Sequence, residues 1–70
     1  MNNSNNILFL QKKIREFQQG RRAESYAELK EYIKNYPRDS VARYNLALMA
    51  ENLGLINESK DLYKKTIRSD

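Results

Sequence analysis

The sequence predicts an all-α chain of four helices, folded as two helical hairpins. Three observations predict it. The 70 residues hold one proline and two glycines, while the strong helix formers Leu, Ala, Glu, Lys, Arg and Gln are common. Apolar residues recur three and four apart, the spacing that lays them along one side of a helix. The chain also matches itself when shifted by 34 residues. Gly20 falls on Gly54, Glu24 on Glu58, Ser25 on Ser59, Lys30 on Lys64 and Ile33 on Ile67. These are five identities in the 17 pairs from Gly20 to Tyr36, where ordinary residue usage gives about one.

Residues 1–6 are polar and Asn-rich and are expected to be flexible. Ser4, Asn5 or Asn6 can cap the first helix by accepting one of its free backbone N–H groups. Leu10, Ile14 and Phe17 form its apolar stripe, and Gly20 ends it with a left-handed residue that costs glycine nothing. The second helix runs from about Arg22 to Asn35, with Tyr26, Leu29, Ile33 and Tyr36 as its stripe and Tyr32 beside it. Pro37 stops it by forcing the preceding residue out of helical geometry. The first hairpin thus covers residues 7–36.

Asp39 or Ser40 caps the third helix, which contains Y-N-L-A-L-M-A-E-N-L-G, Tyr44 to Gly54. Ala47 and Ala50 share a side with Tyr44 and Leu48, and methyl-sized groups on a buried stripe imply that another helix backbone comes close. Gly54 closes this helix, and Asn57 caps the fourth, which turns Ser59, Leu62, Tyr63, Thr66 and Ile67 inward. Glu58 in its first turn and Lys64, Lys65 and Arg68 in its last complement the helix dipole. The second hairpin covers residues 39–70.

Composition narrows the function. There is no cysteine and no histidine, which removes disulfides, thiolate metal sites and the commonest general base and metal ligand. Carboxylates such as Glu24 with Glu28, or Glu58 with Asp61, read as solvated helix residues. Gly20 and Gly54 stand alone in turns, so no phosphate loop exists. The reading is a non-enzyme without cofactor or metal. The net charge is +4, and the clusters Lys12–Lys13–Arg15, Arg21–Arg22 and Lys64–Lys65 read as solvated faces. Nine acidic residues interspersed with the basic ones argue against a nucleic-acid partner. No apolar run approaches the ~18 residues of a membrane span, so a soluble, cytoplasmic protein is expected. A chain this short buries only about 60% of its unfolded surface, which makes outside support plausible.

A helix–turn–helix unit repeating at this period resembles the tetratricopeptide repeat. Tyr44 to Ala47, Y-N-L-A, looks like the family's aromatic-N-L-G/A run. Gly54 matches its turn glycine, Glu58–Ser59 the E-A that opens the second helix, Tyr63 the later aromatic, Thr66 the small residue after it, and Asp70 the Asp that usually precedes proline. The first unit matches in Gly20, Glu24–Ser25, Leu29, Ile33 and Pro37, but its first helix departs. Lys12 and Lys13 fall where the family places Leu and a small residue, and a one-residue deletion before Gly20 would instead bring Ile14 and Phe17 onto the small positions. The resemblance implies two tandem repeats, a short right-handed α-solenoid fragment, with Ala47, Ala50 and Ser59 at its close contacts.

It also implies a small adaptor or scaffold that binds a peptide or helix of another protein. The groove would be lined by Val41, Tyr44, Asn45, Leu48, Glu51 and Asn52, with Gln11, Lys12, Arg15 and Gln18 from the first helix. Tyr44 fits the core as well as the groove. Chaperone-binding members clamp a peptide carboxylate on this face. Asn45 sits at a matching place and Lys12 or Arg15 could supply charge, but the full set is absent. Asp70 falls at a unit boundary, so Leu55, Ile56 and Leu62 are expected to form an uncovered apolar patch. That patch suggests the alternative, a structural subunit or homodimer in a larger assembly.

Overall fold

The computed structural model describes the backbone of residues 3–68 and the side chains of residues 5–68. Four helices make up the described chain: α1 (Asn3–Gln18), α2 (Arg22–Asn35), α3 (Ser40–Asn52) and α4 (Ile56–Arg68). No strand occurs among the described residues. Helix α1 packs on α2 and α3 on α4, while α3 also packs on α2 and touches α1.

Local chemistry sets most of the boundaries. Gly20 has φ 106° and Gly54 φ 82°, values that a Cβ would strain. The amide after each glycine donates to a carbonyl five residues back, Arg21 to Glu16 at 3.0 Å and Leu55 to Ala50 at 2.8 Å. Each glycine amide reaches three residues back, to Phe17 and to Glu51, both at 3.1 Å. Both turns are therefore glycine-closed helix ends of the same double-bonded type. Tyr36, before Pro37, leaves the helix at φ −130°, ψ 65°, as proline requires. Asp39 caps α3 by accepting from the Ala42 amide at 3.0 Å.

Two boundaries differ from the sequence reading. Helix α1 begins at Asn3, so residues 4–6 lie inside it instead of capping it. Each Asn costs a helix at most about 0.7 kcal/mol relative to Ala, too little to stop one already nucleated. Met1 and Asn2, the rest of the expected flexible segment, lie outside the described residues, as do Ser69 and Asp70. Asn57 does not cap α4, which starts one residue earlier, at Ile56. The Gly54 turn delivers the chain directly into the helix, and the Leu55 carbonyl takes the first bond, from the Ser59 amide at 3.0 Å.

The core comprises Leu10, Tyr26, Leu29, Tyr32, Ala42, Leu46, Met49 and Ala50, flanked by Phe9, Ile14, Phe17, Ile33, Leu53 and Leu62. Ala47 and Ala50 are fully buried, and the helix that carries them packs on α2 and α4. Four polar residues join them inside: Lys13, Ser25, Arg43 and Ser59. The two serines, paired by the self-match, bond their own helices, Ser25 Oγ to the Arg21 carbonyl at 2.6 Å and Ser59 Oγ to the Ile56 carbonyl at 2.9 Å. Arg43 donates to the Pro37 carbonyl and to Thr66 Oγ1, tying α3 to the preceding turn and to α4.

Two inward placements, Ile67 and Tyr36, and one patch placement, Leu62, are corrected. Ile67 is 75% exposed, because one residue turns it about 100° from Thr66 onto a side of α4 that no described helix covers. Leu62, expected in the uncovered patch, packs against the core. Tyr36 ends exposed, stacked on Tyr32 with ring centroids 4.7 Å apart, and Tyr32 takes the buried place.

Candidate protein-interaction face

Helix α3 buries one side against α2 and α4, and the residues left over form a second row. Val41, Tyr44 and Leu48, spaced i, i+3, i+7, are 62%, 47% and 42% exposed. The row holds large apolar side chains that the core does not use. Tyr44 is oriented by Tyr63 of α4, edge-on with centroids 5.8 Å apart, and the Tyr63 hydroxyl donates to Glu51 at 2.9 Å. Burial and the bond to Glu51 push the Tyr63 phenol upward in pKa.

The polar candidates on this helix are engaged. Asn45 Nδ2 donates to the Val41 carbonyl of its own helix at 2.9 Å. Asn52 Oδ1 accepts from Arg22 Nη1 at 3.1 Å, which ties the end of α3 to the start of α2.

At the Val41 end the row meets an open cavity of about 750 Å³. Ile7 and Leu10 of α1, Tyr36, Pro37 and Arg38 of the α2–α3 turn, and Val41 supply most of its lining. Leu10 is buried and forms its floor, while Ile7 is 55% exposed. Asp39 borders it with both carboxylate oxygens occupied, one by the Ala42 amide and the other by the Tyr32 hydroxyl at 2.6 Å. Burial, and then the bond to Asp39, raise the Tyr32 pKa.

Lys12 and Arg15 are exposed on α1 but do not line this cavity. At ~100° per residue they lie about 140° and 80° round the helix from Ile7, so Arg15 sits at the edge of the face and Lys12 beyond it. Their neighbour Lys13 behaves differently. It is buried, with Nζ 2.6 Å from Glu28 Oε1 and 3.0 Å from Glu16 Oε1, and 5.3 Å from the Phe9 ring centroid. The Glu28 and Glu16 bonds raise the Lys13 pKa against the opposing effect of burial, and Lys13 holds the Glu16 carboxyl below its usual range. The lysine read as solvated is the ionic link between α1 and α2.

Sequence reasoning missed Ile7, Tyr36, Pro37 and Arg38 as members of one site. In the sequence Tyr36 reads as part of the second helix's stripe and Pro37 as its stop, while Ile7 and Arg38 have no assigned role. Where α3 turns into α4, Leu55 and Ile56 of the expected patch are 39% and 47% exposed. Lys30 and Tyr26 of α2 both reach Glu58 of α4 at 3.0 Å. Lys30 first and Tyr26 second hold the Glu58 carboxyl low, and burial with that bond pushes the Tyr26 phenol up to about 12.

Among the described residues, no group of three or more His, Cys, Asp or Glu could hold a metal ion. No described helix is long and apolar enough to cross a membrane. What the face offers chemically is apolar contact area with a basic margin. In comparisons with known proteins, no family model, curated protein or solved structure matches the chain.

Proposed function

We propose that this chain is a protein-interaction module of the tetratricopeptide-repeat kind, an adaptor that holds a peptide or helix of a partner along α1 and α3. One observation carries the reading. Three large apolar side chains stand in a single row on α3, each more than 40% exposed, and the row ends in a 750 Å³ cavity. Contiguous apolar surface on a small protein marks an interface, and a row at i, i+3, i+7 suits a partner helix or extended segment. The two glycine turns of the same type and the two buried serines support the paired-hairpin reading.

Selection of random phage-displayed peptides on the immobilised chain tests this. Peptides should be recovered, and the double variant Val41→Ser/Leu48→Ser, folded by circular dichroism, should fail to retain them. Recovery of no peptide, or retention unchanged by the double variant, refutes the face. A second reading, a structural subunit or homodimer, is favoured by Leu55 and Ile56, adjacent in the chain and both exposed. It requires a dimeric mass by sedimentation.

A further inference from the structure

We propose that the cavity at the Val41 end of the face is an anchor site for an acidic segment of a partner protein. It takes one aliphatic side chain against Leu10, Ile7 and Val41, and pairs the carboxylate beside that side chain with Arg38. The inference rests on the interaction reading above and deepens it by naming the partner's chemistry.

The volume, about 750 Å³, falls within the ~300–1,000 Å³ typical of ligand pockets. Its floor and walls are apolar: Leu10, Ile7, Val41, Tyr36 and Pro37. Two charged groups border it, and they differ in what they have left to give. Asp39 has both oxygens engaged, by the Ala42 amide and by the Tyr32 hydroxyl. Arg38 is exposed and has neither hydrogen bond nor ion pair among the described residues. The remaining polar lining is Asn6 and Asn35, and the Asn35 amide donates to the Glu31 carbonyl at 3.4 Å. Asp39 keeps its negative charge but has no oxygen left unbonded, whereas the Arg38 guanidinium has all its donors to give and lines the cavity beside the apolar floor.

A guanidinium offers its donors in a fork that matches a carboxylate. Elsewhere on the face Arg15 is exposed at the edge, Arg22 donates to Asn52, and Glu51 accepts from the Tyr63 hydroxyl. A second copy of this chain, itself carrying +4, would bring like charge to that margin. A bare phosphate backbone would leave the apolar floor unfilled. A peptide with an aliphatic residue next to Asp or Glu satisfies both halves of the site.

The same phage-display selection decides it, run in parallel on the wild-type chain and on Arg38→Glu. The turn position is exposed, so both chains should give the same helical spectrum. Wild type should enrich aliphatic residues adjacent to Asp or Glu, and Arg38→Glu should enrich Lys or Arg in their place. Against the best synthetic peptide, Arg38→Ala should weaken binding by roughly tenfold or more, as for loss of a hydrogen bond to a charged group. Aliphatic enrichment without acidic residues, or the same acidic enrichment on Arg38→Glu, overturns the inference while leaving the interaction face standing. Recovery of no peptide removes both. A dimer in sedimentation that dissociates on Val41→Ser shows a second copy in the cavity, and also overturns it.

Discussion

Asp39 holds two groups at once, and removing it should cost more than a helix cap alone. Its Oδ1 accepts the Ala42 amide at 3.0 Å and its Oδ2 the Tyr32 hydroxyl at 2.6 Å. Losing a cap costs about 1 kcal/mol. Leaving the Tyr32 hydroxyl without an acceptor adds about 1–3 kcal/mol. The lower end applies, because Asp39 is only half-buried and its removal admits water. Asp39→Ala is thus expected to lose about 2 kcal/mol, against a total of roughly 3.5–10 kcal/mol for a domain of this length. With a urea slope near ~1 kcal/mol/M, the midpoint should fall by about 2 M. Asp39→Ser keeps the cap and gives up the tyrosine, so it should recover about half the loss. In a double-mutant cycle, Tyr32→Phe should cost about 1 kcal/mol in the wild type and close to nothing in Asp39→Ala, whose hydroxyl is already unpaired. A loss below ~0.5 kcal/mol for Asp39→Ala, or a cycle with no coupling, would show that the two bonds do not hold the α2–α3 turn.

Ala47→Leu and Ala50→Leu, both at fully buried sites, should each destabilise by about 1–3 kcal/mol through overpacking. Ala23→Leu and Ala27→Leu, at exposed sites on α2, should leave the thermal midpoint nearly unchanged. Stability should also fall on the alkaline side. Lys13, Tyr26, Tyr32 and Tyr63 all hold their protons more tightly folded than unfolded, so what they contribute is complete below the unfolded values and is lost as pH rises through the folded ones. For Tyr26 that window runs from 10.0 to about 12. Urea midpoints measured across it should decline, and Tyr26→Phe should make the decline shallower.

What the sequence revealed and what it hid divide along a physical line. Gly20, Gly54, Pro37 and Asp39 act through their own backbone or the next turn of helix, so their roles are visible without knowing the neighbours. The alanines of α3 were legible for a related reason: a stripe of small groups has no local purpose and implies a close helix. Ile67 and Lys13 depend on which side of their helix a neighbour occupies. Lys13 stands three residues after Leu10 and four before Phe17, on the stripe itself, and its charge masked that position because its two carboxylate partners lie on different helices. The row Val41, Tyr44, Leu48 is expected only through the family resemblance. Apolar spacing puts Tyr44 and Leu48 on the side of Ala47 and Ala50, yet the alanines are fully buried and the other two are 47% and 42% exposed. The cavity could not be read from any one helix, since α1, the α2–α3 turn and α3 each supply a wall.

The helix pairs α1–α2 and α3–α4 close their contacts by different chemistry. Thirty-four residues before Ala47 and Ala50 stand Lys13 and Glu16. Where α3 presents methyl groups to its neighbours, α1 presents an ion pair that reaches on to Glu28 of α2. Alanines let helix backbones approach closely and pack without desolvating charge, and α3 packs more extensively on α4 than α1 does on α2. A lysine between two glutamates needs room for its stem, and its attraction is offset in large part by the water it gives up. Helix α1 therefore meets the rest of the fold through Leu10, Ile14 and Phe17 at the core and through the Phe9–Tyr32 stack, whose centroids are 5.0 Å apart, with the Lys13–Glu28 pair beside them, and it meets α3 over only a small contact. Because α1 meets α3 so sparsely, Ile7 and Leu10 are left to line, with Val41 and the α2–α3 turn, the open cavity at that end of the face.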